Sequence, residues 1–191
     1  YHDPLLTEAG CDEAGRGCLA GPVFAAAVIL PKDYVNHRLN DSKKLSARTR
    51  ASLREEITRD AIAWAIASCS NTEIDEMNIL RASITAMHRA IDQLNHVPRL
   101  LLIDGNRFYP YKNIAHKTII HGDAIYMSIA AASILAKTAR DEMMEQLHLQ
   151  YPFYGWDLKT AGPSNNNFRI APAGLTGSGA SEFLSESMMG M

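Results

Sequence analysis

The run Val23-Phe24-Ala25-Ala26-Ala27-Val28-Ile29-Leu30, closed by Pro31, constrains the fold more than any other stretch of this chain. Eight successive apolar residues cannot alternate a wet face with a dry one, so they read as a strand buried on both sides. A strand over residues 8–14 precedes it across the Gly15–Pro22 turn. Ser46 reads as the N-cap of a helix running to about Asp60. Residues 61–69, which alternate small and large apolar side chains, read as a third strand, with helix as the alternative. Residues 72–95 carry Ile74, Met77, Ile79, Leu80, Ile84, Met87, Ile91 and Leu94 at mixed three- and four-residue spacing, the mark of an amphipathic helix, with Asn78 as a break or cap midway. Leu100–Ile103 form a short strand that ends in Asp104, residues 114–120 a fifth strand, and Asp123 to about Gln150 a long helix rich in Ala, Ile, Leu and Met. The expected architecture is one α/β domain.

The composition supports a core at this length without staples: 191 residues, 47% apolar and 21% charged. Cys11, Cys18 and Cys69 are an odd number with no CxxC spacing, which argues against a disulfide framework or zinc site and fits a reducing cytoplasm. No window of about 18 uninterrupted apolar residues exists to span a bilayer. The N-terminus shows no basic-then-apolar signal pattern, and its opening on Tyr1 reads as a trimmed start. The net charge of −2 gives no global basic footprint, so a nucleic-acid partner would have to be held by a local patch.

Carboxylates recur at the ends of these elements. Asp12 and Glu13 stand together in Cys11-Asp12-Glu13-Ala14-Gly15-Arg16-Gly17-Cys18; Asp104 ends a later strand; Asp123 opens the long helix. Charge beside a core is costly unless a cation pairs with it. Magnesium and manganese take oxygen ligands, and two such ions about 3.5–4 Å apart can clamp both oxygens of an in-line displacement. The Gly-Arg-Gly tripeptide that follows suits close approach of backbone to a phosphate. Together these features suggest a divalent metal, Mg2+ or Mn2+, acting on a phosphodiester. Plainer readings stand beside this one: Asp12 and Glu13 begin a turn, Asp104 before Gly105-Asn106 is a turn former, and Asp123 is an N-cap. Asp141 lies 18 residues, about 27 Å of helix, beyond Asp123 and reads as structural. The histidines are scattered without ligand spacing; His121 alone stands near Asp123.

Six motifs in order resemble the ribonuclease HII family, the type 2 ribonucleases H. They are Asp12-Glu13-Ala14-Gly15-Arg16-Gly17, Gly21-Pro22-Val23, Asp41-Ser42-Lys43-Lys44-Leu45, Ile103-Asp104-Gly105-Asn106, Gly122-Asp123, and Ser128–Lys137 with Arg140-Asp141. The likeness covers residues 9–156, ending at Tyr154-Gly155-Trp156. It implies a ribonuclease H-like mixed β-sheet flanked by helices, with a catalytic domain at 1–156 and an atypical, irregular segment at 157–191. It implies an endonuclease that cleaves the RNA strand of RNA–DNA hybrids and nicks 5′ of ribonucleotides embedded in duplex DNA, leaving 5′-phosphate and 3′-hydroxyl ends. Asp12, Glu13, Asp104 and Asp123 would be the catalytic carboxylates of a two-metal site. Gly15, Arg16 and Gly17 would sense the 2′-hydroxyl, Lys43 would hold phosphate, and Asn106 would bond the substrate or orient a ligand. Ser128–Lys137 would be a packing face whose small residues let the helix approach the sheet. The implied protein is a cytoplasmic monomer with no obligate protein partner and no membrane contact.

The likeness weakens after Trp156. The tyrosine that the family carries after the residue matching Gly162 is replaced here by Pro163, and the family's late His-Arg segment has no counterpart. Divergence, a reading-frame error and a segment with little fixed structure all fit the Gly/Ser/Asn-rich composition. The departure makes a second function class concrete: a hybrid-binding protein with weakened catalysis or specificity.

Overall fold

The computed structural model describes residues 2–3, 5–18, 21–39 and 45–152. Lys43, with its neighbours in the 40–44 loop, and the whole 157–191 segment lie outside them. Strands β1 (Glu8–Ala14), β2 (Val23–Ile29), β3 (Ala63–Cys69), β4 (Leu100–Asp104) and β5 (Ala115–Ile119) form one sheet in the order β3-β2-β1-β4-β5. β1 and β2, and β2 and β3, pair antiparallel, whereas β4 runs parallel to β1 and β5 parallel to β4. The helices are α1 (Ala47–Asp60), α2 (Asn71–Met77), α3 (Ile79–Asp92) and α4 (Met127–Gln150). The mixed sheet with helices on both faces is the architecture expected from the sequence, and no described helix is long and apolar enough to cross a membrane.

The double burial of β2 follows directly from its composition. Val23, Ala25, Ala27 and Ile29 pack toward α3, where Ala82, Ala86, Met87 and Ala90 meet them. Ala26, Val28 and Leu30 face the other way, onto Leu53 and Ile57 of α1 and Ala131, Ile134 and Leu135 of α4. Of residues 61–69, Ala61 caps the end of α1 and Ala63–Cys69 form β3, whose buried alanines stack beside β2, Ala65 on Ala27 and Ala67 on Ala25.

Local chemistry sets the helix boundaries. The Ser46 hydroxyl accepts from the Thr49 amide and caps α1. Asn78 divides the 72–95 segment: at φ 70° it ends α2, and its Oδ1 accepts from the Leu80 and Arg81 amides to start α3. Sequence and structure part at the long helix. Asp123 does not open it. Gly122–Ala124 form a separate 3-10 turn entered through His121 in the left-handed region, and α4 begins at Met127 after an extended Tyr126. A helix cannot continue through the extended Tyr126, so the turn carrying Asp123 stands apart from α4 and is tied instead to the end of β4.

The tightest contact in the fold lies between β1 and α4. A Cβ on Gly10 would stand 2.2 Å from the Ser128 carbonyl carbon and 2.3 Å from the Ile129 nitrogen, both backbone atoms that cannot swing aside. Glycine is needed here for space alone. Gly10→Ala should therefore cost about 3 kcal/mol, at the upper end of overpacking penalties, read by urea denaturation. A loss under about 1 kcal/mol would mean that α4 withdraws easily and is not pinned at this point.

Candidate active site

Alternation along β1 puts Ala9 and Cys11 on the α3 side of the sheet and Gly10 and Asp12 on the α4 side. On β4, Leu101 and Ile103 join the α3-side core while Leu100 and Leu102 pack with Ile129 of α4. The parallel register pairs Cys11 with Ile103. Continued by one residue, it sets Asp12 beside Asp104, both on the α4 face and both at carboxyl ends of their strands. Such ends are where α/β sheets collect their sites. Glu13, next along β1, points to the opposite face and is partly exposed.

Asp12 is the deepest of the four carboxylates, 6% exposed. One oxygen accepts from the Glu13 amide at 2.7 Å, and the Ser133 hydroxyl on α4 donates to the same carboxylate. Burial nevertheless pushes its pKa well above the ordinary carboxylate value, and the charges of Glu13 and Asp104 push it further. Asp104 accepts from the Gly122 amide at 2.7 Å, which ties the end of β4 to the turn carrying Asp123. Gly122 is closely packed there: a Cβ would meet Ile129 Cδ1 at 2.6 Å and displace the tip of that side chain. Three carboxylates thus interact electrostatically, and the fourth stands one residue beyond the amide that holds Asp104.

The donor set is all carboxylate oxygen and partly withdrawn from water, which suits a hard divalent cation. Among the described residues, no three acidic, histidine or cysteine side chains are already arranged as a closed ligand cage. Glu13 turns toward Arg16, with Oε1 3.4 Å from Nη1, and Asp104 toward the Gly122 amide. The fit is thus one of charge and donor chemistry.

The Gly-Arg-Gly segment forms a tight turn, closed by a hydrogen bond from the Cys18 amide to the Gly15 carbonyl at 3.1 Å. Gly15 adopts φ 104°, which an L side chain resists. Arg16 and Gly17 are exposed at the tip, and Asn106 is exposed beyond Gly105, itself at φ 92°. Asp141 accepts from Arg50 at 2.9 Å and Lys137 at 3.3 Å, in keeping with a structural role. Sequence reasoning assigned Ser128–Lys137 to packing and so missed the bond from Ser133 to Asp12. The available signal was a serine inside an Ala/Ile/Leu helix, since a buried hydroxyl needs a partner. Gly10, Gly122 and Arg140 were likewise assigned no role.

The raised Asp12 pKa has a signed consequence. In chelator, the neutral form is the stable one in the fold, so its contribution is fully present below the ordinary carboxylate range. It is lost as pH climbs through the raised value. Asp12→Asn should therefore raise the melting temperature of the metal-free protein at neutral pH, with the gain shrinking toward acid. A gain that does not vary with pH would place the destabilising charge elsewhere.

The sequence matches the family model for ribonuclease HII over residues 9–170, past the point where the motif likeness ends. Ribonuclease HII of Bacteroides thetaiotaomicron is 61% identical over 177 residues, covering 92% of this chain and 88% of that protein. The Porphyromonas gingivalis enzyme is 59% identical over 164 residues, covering 86% and 82%. Among solved structures, ribonuclease H2 from Pyrococcus horikoshii OT3 aligns with a TM-score of 0.70 at 26% identity, covering 84% of this chain and 82% of that one. RNase HII from Archaeoglobus fulgidus, solved as a complex with PCNA, aligns at 0.69 and 26% identity, covering 83% and 82%. With identity near 60% over most of both chains, a matching fold and its acidic ends of β1 and β4 side by side, this chain belongs to the ribonuclease HII family and is an endoribonuclease.

Proposed function

We propose that this ribonuclease, whose family acts on RNA–DNA hybrids, hydrolyses the RNA strand by a metal-dependent mechanism and also nicks 5′ of single ribonucleotides in duplex DNA, leaving 5′-phosphate and 3′-hydroxyl ends. The observation that carries the reading is the adjacency of Asp12 and Asp104 at parallel strand ends, one turn before Gly15-Arg16-Gly17. Asp12, Glu13, Asp104 and Asp123 would hold Mg2+ or Mn2+. Bound there, the ions supply water activation and charge stabilisation at the leaving 3′-oxygen. The protein's own part is to keep four carboxylates at fixed strand and turn ends, with Asp12 oriented by Ser133 and Asp104 by the Gly122 amide. The Gly15–Gly17 turn, exposed at Arg16 and Gly17, offers backbone amides and carbonyls to a 2′-hydroxyl, the one group that separates RNA from DNA at a site. Arg16 leaves Glu13 to fork onto a phosphate, Lys43 adds a second phosphate contact, and Asn106 reaches the substrate from the end of β4. Residues 1–156 form the catalytic domain of a cytoplasmic monomer, with 157–191 an atypical segment.

The alternative, a hybrid-binding protein with weakened catalysis, draws its support from Pro163 standing where the family carries tyrosine. A labelled DNA duplex with one internal ribonucleotide separates the two. With Mg2+ or Mn2+ we expect a nick on the 5′ side of the ribonucleotide, and none with chelator. Binding without cleavage of either this duplex or an RNA–DNA hybrid would favour the alternative.

Asp12→Asn and Asp104→Asn should each lower cleavage by about 10²–10³-fold or more, the scale of losing one electrostatic stabiliser of the transition state, while circular dichroism stays native. Substantial residual activity in either variant would reject the assignment of these carboxylates. Arg16→Ala should lower kcat/KM with metal affinity intact; an unchanged rate at limiting substrate would remove Arg16 from the site.

A further inference from the structure

Arg140 is a guanidinium only 6% exposed, standing on the face of α4 that meets β1. Arginine is rarely so deep without a specific purpose. Its Nε lies 2.6 Å and its Cδ 2.9 Å from the point where a Cβ would stand on Gly15, and its Nη2 lies 3.7 Å from the same point on Gly21. Those two glycines bracket the loop that carries Arg16 and Gly17. Both hold positive φ, 104° and 87°. The side chain therefore lies against the bare backbone of Gly15, where a Cβ would collide with it, and its guanidinium reaches to van der Waals distance of Gly21, whose own space is taken by Met144 Sδ at 2.5 Å.

Arg140 stands two helical turns beyond Ser133 and so shares its face. The spacing matches the strand beneath. Gly10 meets Ser128 and Ile129, Asp12 meets Ser133, and Gly15 meets Arg140. From Gly10 to Gly15 a strand advances about 17 Å, and from Ser128 to Arg140 a helix advances about 18 Å. α4 thus runs alongside β1 and registers the carboxylate and the turn on one rigid rod. The rod is itself anchored: Arg50 of α1 donates to Asp141 at 2.9 Å and to the Leu45 carbonyl at 2.6 Å.

We infer that Arg140 is a positioning residue that holds the Gly15–Gly17 turn at the height above Asp12 and Asp104 needed to read a ribose 2′-hydroxyl. It does not touch the substrate; it acts through the turn. The inference rests on the proposed reading of that turn as the ribonucleotide sensor.

The test uses the full chain and its Arg140→Lys and Arg140→Met variants. Three quantities are measured: melting temperature, Mn2+ affinity by calorimetry without nucleic acid, and steady-state kinetics on the single-ribonucleotide duplex. Arg140→Met should raise KM about tenfold or more with kcat within about threefold. Mn2+ affinity should be unchanged, and Arg140→Lys, which keeps the stem and the charge, should fall between. A folded Arg140→Met protein with KM within about twofold of the parent overturns the inference, and so does a parallel loss of Mn2+ affinity, which would put Arg140 on the carboxylates. If Arg140→Met does not fold, Arg140→Lys decides on the same KM criterion. Anisotropy in Ca2+ keeps this inference apart from the function on which it rests. A parent chain that prefers the ribonucleotide duplex over all-DNA, with the preference lost in Arg140→Met, supports the positioning role whether or not nicking occurs. A parent chain that neither nicks nor prefers that duplex overturns both.

Discussion

The contact between Gly10 and the first turn of α4 is the constraint on which the rest of this molecule depends. Helix backbone lies directly on strand backbone there, with no side chain between them. An approach that close lets short side chains do work that would otherwise need long ones. Ser133 reaches Asp12 from the helix, and Ile129 closes over Leu100 and Leu102. The alanines of β2 and α4 extend the same economy of volume across the sheet. A bulkier central strand would lift α4 away and break its register with β1.

Within that frame the site is assembled against its own electrostatics. Asp12 is buried within the electrostatic reach of Glu13 and Asp104, and among the described residues a hydroxyl and an amide donate hydrogen bonds to it. Such an arrangement is costly in isolation and is relieved by a bound cation. The stability concentrated elsewhere makes it tolerable. Arg89, for instance, joins Glu73 to the Ser68 carbonyl, and holds the Glu73 carboxyl down to about 2 while α2 keeps its capping box. Site and scaffold follow different rules: opposite charges pair in the scaffold, whereas like charges gather around Asp12.

Much of this was legible in the residues. The doubly buried β2, the Ser46 cap, the division at Asn78 and the strand ending at Asp104 all follow from local pattern, because apolar spacing and capping chemistry act over a few residues. Asp12 and Asp104 were legible as acidic strand ends, because each carboxylate closes an apolar run. The start of α4 was misplaced because Asp123 is a good cap by composition, whereas the turn that holds it is fixed by the Gly122 amide reaching Asp104, eighteen residues away in sequence. The partners of Ser133 and Arg140 were illegible for a similar reason. A serine or arginine on an apolar helix does not announce its partner when that partner lies more than a hundred residues earlier.

By itself the sequence determined the strands, most helix ends, the identity of the acidic residues and the family to which they belong, because all of these depend on residue type and short-range spacing. Only the tertiary structure decided that Asp12 and Asp104 face the same helix and that Glu13 turns to Arg16. It alone decided that Gly10, Gly122 and Gly15 each yield space to a named neighbour. Those outcomes depend on the parallel register of β1 with β4 and on the depth at which α4 settles. Both are set by packing between distant segments, which no local pattern encodes.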